Sequence, residues 1–113
     1  MPLNTKLVSS DFTGKRLNKT GTFAVLFAAE WCPFCRMFSP IFKSALAKNG
    51  ITGALADLTD EQNPLWEAFE VQVVPTVMIF KEGELVYRKD GTLGQGLHDS
   101  AMDEVVSRLQ AGH

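Results

Sequence analysis

The chain is poor in cysteine, with Cys32 and Cys35 the only two among 113 residues. Two thiols cannot staple a disulfide-dense scaffold, and a structural zinc site needs four ligands. The two histidines add nothing to a metal site, because His98 reads as a surface residue and His113 as tail. No metal and no bound organic cofactor is therefore expected. Long apolar runs are also missing. The longest, Phe23 to Ala29, falls far short of the ~20 residues that span a bilayer, so no membrane partner is expected. Neither charge sign dominates, with 11 Lys and Arg against 13 Asp and Glu, which speaks against nucleic acid as an obligate partner. Repeats, low-complexity tracts and linkers are absent, and the length suits one domain spanning residues 1–113. Met1-Pro2-Leu3-Asn4-Thr5-Lys6 lacks the apolar core of a secretory leader, so the cytoplasm is the expected compartment. A disulfide formed there is more often transient and catalytic than structural. No residue pattern demands an oligomer, and a monomer is expected.

What the sequence does contain is Ala29-Glu30-Trp31-Cys32-Pro33-Phe34-Cys35, set between a strand pattern and a helix pattern. Two thiols at this spacing close a small ring on oxidation, and a helix start favours a thiolate. Both are requirements of dithiol–disulfide exchange. Thr22 to Ala29 is a continuous apolar run, as in a strand covered on both faces. Phe34, Met37, Phe38, Ile41, Phe42, Ala45 and Leu46 then recur at spacings of three and four. That stripe predicts a helix stopped at Asn49-Gly50 and kinked at Pro40.

Around this centre, Leu7-Val8 reads as a short edge strand. Ser9-Ser10-Asp11-Phe12 reads as the entry to a short helix ending before Gly21. Ile51 to Leu58 reads as a second buried strand. Asn63-Pro64 suits a helix start, with Leu65, Ala68 and Phe69 inside. Thr76 to Phe80 is a third strand, turned by Glu82-Gly83-Glu84 into a hairpin partner over Leu85 to Lys89. Met102, Val105, Val106 and Leu109 mark a last amphipathic helix, and Met37, Met78 and Met102 read as core. The order β-α-β-α-β-α-β-β-α predicts an α/β fold, a mixed sheet with helices on both faces.

Trp31-Cys32 with Cys35, Val74-Pro75-Thr76 about forty residues later, Asp60-Glu61-Gln62-Asn63-Pro64, and Gly91 after the hairpin complete the pattern. Over nearly the whole chain it resembles the thioredoxin family. The resemblance implies a central sheet of four to five strands and a thiol–disulfide oxidoreductase. Its partners are disulfide-containing client proteins and an electron donor of the thioredoxin-reductase type. Cys32 is implied as the exposed attacking nucleophile, with helix N–H groups aimed at its sulfur and a pKa near ~7 typical of such motifs. Pro33 fits the first helical position. Cys35, more buried, is implied as the resolving thiol. Val74-Pro75 is implied to be a cis peptide beside it, with the Val74 backbone open to an extended client. Trp31, Pro33, Phe34, Val74, Thr76 and Gly91 are implied as the client-binding groove. Phe34 continues the apolar stripe, yet its place between the cysteines argues for exposure. Trp66 reads equally as core or rim.

The sequence departs from the family pattern. The usual Gly-Pro between the cysteines is Pro33-Phe34, and a proline after the first cysteine also occurs in glutaredoxin-like and oxidant relatives. The family's buried acid, six residues before the first cysteine, is Leu26, and the lysine that faces it is Asp57. Asp57 reads either as a relocated proton acceptor for Cys35 or as a strand-end or capping aspartate. Arg36, four residues after Cys32, reads either as a modest thiolate stabiliser or as a solvated arginine, and Glu30 as a rim charge. Two other functions stay open from sequence. One is a thiol oxidase or disulfide isomerase of higher potential, the other a binding module with a non-catalytic cysteine pair.

Overall fold

The computed structural model describes residues 5–92, 96–98 and 100–111. The His113 tail and the Met1–Asn4 start lie outside the described residues. In chain order, β1 (Thr5–Leu7) leads to a 3-10 turn (Ser9–Asp11), β2 (Phe12–Thr13), β3 (Arg16–Leu17) and β4 (Thr22–Ala28). Next come α1 (Pro33–Asn49), β5 (Gly53–Asp57), α2 (Leu65–Ala68), β6 (Thr76–Lys81), β7 (Glu84–Asp90) and α3 (Ser100–Ala111). Five strands form one mixed sheet in the order β1-β5-β4-β6-β7. β5 runs parallel to both β1 and β4, whereas β6 pairs antiparallel with β4 and β7.

The apolar run of β4 follows from its central place. From Ala24 to Ala28 every residue is buried, because neighbours close both edges and layers close both faces. Side chains alternate across it. Phe27 faces one layer, where the rings of Phe12 and Phe69 lie 6.4 and 5.5 Å away. Phe80 completes that cluster, 5.7 Å from Phe12 and 5.8 Å from Phe69. The opposite face, with Leu26 and its register partner Val77, is covered by α1 and α3, which pack on each other. α1 buries Cys35, Phe38, Phe42 and Leu46 and runs unbroken through Pro40. Gly50 closes it in the left-handed conformation. Among the described residues no helix is long and apolar enough to cross a membrane.

Two expectations change here. The helix entered at Ser9 is only a 3-10 turn, after which the chain forms the β2–β3 hairpin. Asp11 spends its capping carboxylate on the Val8 amide at 2.8 Å, and Gly14, at φ +60, turns the chain back. Phe12 pairs with Leu17 across the hairpin, and both are buried. Met37 is not core but 68% exposed. The buried stripe passes through Cys35 and Phe38, and each helical residue turns about 100° from its neighbour, so Met37 falls outside it. Met78 and Met102 are buried as expected.

Candidate active site

β4 ends at Ala28 in the centre of the sheet, and the following loop delivers Cys32 to the start of α1. Cys32 is the N-cap residue and Pro33 the first helical residue, whose missing N–H has no helical partner in any case. No acidic side chain stands in the first turn of α1, where the positive end of the helix dipole lies. Cys35 sits inside that turn. The two cysteines are free thiols, close enough for Cys32 to influence the Cys35 sulfur electrostatically.

The expected exposure of Cys32 is not observed. Only 5% of it is accessible, against 3% for Cys35. Its sulfur also takes no hydrogen bond from the helix amides. The thiol instead donates to the Val74 carbonyl at 3.5 Å, an acceptor supplied by the loop before β6. Cys35 accepts from the Ala29 amide at 3.5 Å. Burial pushes the Cys35 thiol up from its ordinary 9.0 to about 12; the Ala29 N–H opposes the rise, and the neighbouring Cys32 adds to it.

Three features shape the loop facing Cys32. The Val74-Pro75 peptide is cis. Thr76 is fully buried and its hydroxyl donates to Val73 O at 2.7 Å, which places Thr76 beneath the groove and not on its rim. Gly91 lets β7 pass close by, since a Cβ there would lie 2.6 Å from Pro75 O. Phe34 is half-buried, packed against the core and against Gly96, whose added Cβ would lie 2.6 Å from the Phe34 Cβ. Trp31 is 49% exposed, and Pro33 is exposed beside it.

Cys35 also borders a cavity of about 150 Å³. Cys35, Asp57, Lys6, Arg36, Ser39 and Glu30 line it together with Ala28, Ala29 and Leu55. Asp57 ends β5 opposite Ala28. Burial pushes its carboxyl up, but the Thr59 hydroxyl and amide and then the Lys6 ammonium outweigh this and hold it below the usual carboxylate range. The Lys6 ion pair measures 3.5 Å. Arg36 donates to Glu30 O at 3.1 Å, tying the rim of the motif to α1. Leu26 is fully buried, so no carboxylate stands at the usual family position. A larger surface hollow, about 750 Å³ between α1 and α3, lies away from both cysteines.

The comparisons with known proteins agree with this geometry. The thioredoxin family model matches residues 4–103. The chain belongs to the thioredoxin family. Thioredoxin H3 of Arabidopsis thaliana is 34% identical over 98 residues, covering 85% of this chain and 75% of that protein. A thioredoxin of Mycobacterium bovis is 28% identical over 105 residues, covering 92% and 90%. A chain solved in work on the thiol resolving mechanism of a yeast mitochondrial 1-Cys peroxiredoxin via glutathione/thioredoxin systems shares the fold. It superposes with a TM-score of 0.67 at 19% identity, over 91% of this chain and 92% of that one. A thioredoxin with two adjoining thiols at a helix start is a thiol–disulfide oxidoreductase.

Two contributors escaped the sequence reading. Thr59 accepts the Glu30 amide at 2.9 Å through its hydroxyl, bonds Asp57, and offers its carbonyl to the Trp31 indole at 2.9 Å. Its only local sign is the spacing Asp57-Leu58-Thr59, which suits an Asx turn at a strand end. Lys6 reaches the site only because β1 pairs with β5, a pairing that no local pattern announces.

Proposed function

We propose that this thioredoxin reduces disulfides in client proteins by cycling Cys32 and Cys35 between dithiol and disulfide. The Cys32 sulfur attacks one sulfur of the client bond. That S–S bond breaks, a Cys32–client disulfide forms, and the proton given up by Cys32 ends on the first client sulfur, which leaves as a thiol. Cys35 then gives its proton to Asp57 across the shared cavity and attacks the Cys32 sulfur. The Cys32–Cys35 bond closes, the Cys32–client bond breaks, and the second client sulfur takes up the proton held by Asp57 and leaves as a thiol. Two electrons pass from the pair to the client. A donor of the thioredoxin-reductase type restores the dithiol, and a reducing compartment such as the cytoplasm suits that flow.

The observation that carries this reading is the asymmetry of the two thiols. Cys32 sits at the helix cap against the Val74 carbonyl, while burial holds Cys35 up at about 12 next to a cavity that also holds a carboxylate. Such a pair divides attack from release, and the second step calls for a base. Trp31, Pro33, Phe34 and the Val74–Pro75 backbone form the client face, with Thr76 and Gly91 holding it from beneath. The test is Cys35→Ser. Mixed with a disulfide client, this variant is expected to accumulate a covalent adduct on Cys32, seen by intact mass and lost with dithiothreitol. Wild type showing the same adduct level, or Cys35→Ser showing none, refutes the assigned roles.

A further inference from the structure

Trp31 and Trp66 come from different elements, the loop before α1 and the short helix α2. Their rings nevertheless lie parallel, 6.2 Å between centroids and 9° apart in plane. Each indole N–H is bound to a carbonyl of one loop, Trp31 to Thr59 O at 2.9 Å and Trp66 to Asp60 O at 3.2 Å. The polar edges of both rings are thus committed to the protein, and the stacked pair borders the client face as a fixed aromatic surface.

Exposed carboxylates neighbour both tryptophans along the chain. Glu30 precedes Trp31, Asp60 and Glu61 occupy the loop to which both indoles bond, and Glu67 follows Trp66; all four are exposed. No lysine or arginine occurs from Thr59 through Phe80, and the cations that reach this segment from elsewhere, Arg88 on the Phe69 and Glu70 carbonyls and Lys15 on Glu70, stand past the end of α2. Two cations stand on the cysteine side. Arg36 is held on Glu30 O, and Lys6 is paired with Asp57. The chain as a whole carries a charge of only −2, so this concentration of negative charge is local. Aromatic faces attract cations through their quadrupole, and clustered carboxylates raise the local concentration of positive groups. An acidic segment is repelled here, and an apolar one leaves the carboxylates with no partner.

We propose that the Trp31–Trp66 pair and its carboxylates form a docking platform for a positively charged segment, lysine or arginine placed next to the reactive disulfide of a client. This rests on the reading of the chain as a reductase of client disulfides. The test uses three disulfide-linked peptides, identical except for flanking Lys, Gln or Glu. Reduction by the full chain is measured as kcat/KM. Binding of the same peptides to the Cys32→Ser/Cys35→Ser variant is measured separately by indole fluorescence. The Lys peptide is expected to exceed the Glu peptide by about tenfold in both, since exposed ion pairs and a cation over an indole contribute a few-fold each. Raising salt from about 0.01 M to about 1 M shrinks the screening length from about 30 Å to about 3 Å and is expected to erase the preference. Glu61→Gln/Glu67→Gln is expected to cut the Lys-to-Glu ratio at least about threefold, the Gln peptide serving as internal reference. Equal binding and turnover of the three peptides, or a ratio unmoved by the double variant, overturns the platform. Failure of wild type to reduce even the Gln peptide defeats the reductase reading instead, and the binding ratios then decide the platform alone.

Discussion

Replacing Asp57 by asparagine keeps an oxygen for the Thr59 hydroxyl and amide but removes the only carboxylate that shares a cavity with Cys35 apart from Glu30. The size of the effect follows from the Cys35 thiol. Burial holds it far above neutral pH, so very little Cys35 is ionised at pH 7. A positioned base contributes ~10²–10⁴ to such a proton transfer when its pKa lies near the working pH, and a carboxyl held below its usual range calls for the low end. Asp57→Asn is therefore expected to slow release of the client from Cys32 by about 100-fold at pH 7 and leave the first attack unchanged within about twofold. The variant must draw on the ionised fraction, so its release rate rises about tenfold per pH unit, and the deficit closes near about pH 9. Wild type keeps its base through the neutral range, because the Asp57 carboxyl lies below the ordinary range despite burial; the base is lost only as pH falls through that depressed value. Removing the cation with Lys6→Met is expected to move this acid limb to higher pH. Single-turnover mixing with a disulfide peptide, acid quenching, alkylation and mass analysis follow both steps, with Glu30→Gln as control. Release from Asp57→Asn at the wild-type rate and with the wild-type pH slope refutes the assignment and leaves water as the base.

Two further outcomes concern the frame of the site. Leu26→Asp restores the family's acid in a position with no accessible surface, and is expected to cost about 3–5 kcal/mol at pH 7 from lost apolar burial and a stranded carboxyl. Its folded pKa is raised, so the loss is least below the unfolded value of ~3.9 and grows as pH rises towards the folded value; urea midpoints that show equal losses at about pH 4 and about pH 8 contradict this. Gly96→Ala places a Cβ 2.6 Å from the Phe34 Cβ at φ +71 and is expected to cost about 1–3 kcal/mol in thermal unfolding. Phe34→Gly in the same chain removes the opposing Cβ and relieves the clash but not the backbone strain, so the double variant is less destabilised than the sum of the two singles.

Much of this arrangement was legible in the sequence because it rests on local pattern. The run from Thr22 to Ala28 is a buried strand, Gly50 stops α1, and Asn63 caps the turn into α2 by accepting the Leu65 amide at 2.9 Å. Where local signals compete, the reading failed. Ser9, Ser10 and Asp11 are good helix starters, yet the burial of Phe12 and the Leu17 amide bond to Gly83 O at 2.9 Å favour a hairpin. Met37 was misplaced because a stripe read at spacings of three and four tolerates a shift of one residue. Burial of Cys32 depends on the Val74 carbonyl 42 residues away, and the sharing of a cavity by Cys35, Asp57 and Lys6 depends on two strand pairings. The parallel stack of Trp31 on Trp66 is of the same kind: each indole is visible in the sequence, and their meeting is not.

The strand order has a consequence for how the chain comes together. β4, which leads into the cysteines, lies in the middle of the sheet, and neither β5 nor β6 adjoins it without an intervening helix. Its pairing with β6 joins Phe27 to Thr76, so the wall of the groove that carries Val74 arrives long after the thiols have emerged from synthesis. Non-local closure of this kind is paid in loop entropy before any contact rewards it, and it sets a slow tempo for folding. Until that closure the two cysteines are ordinary open thiols on a growing chain. The difference in character between them is conferred late, by the completed sheet.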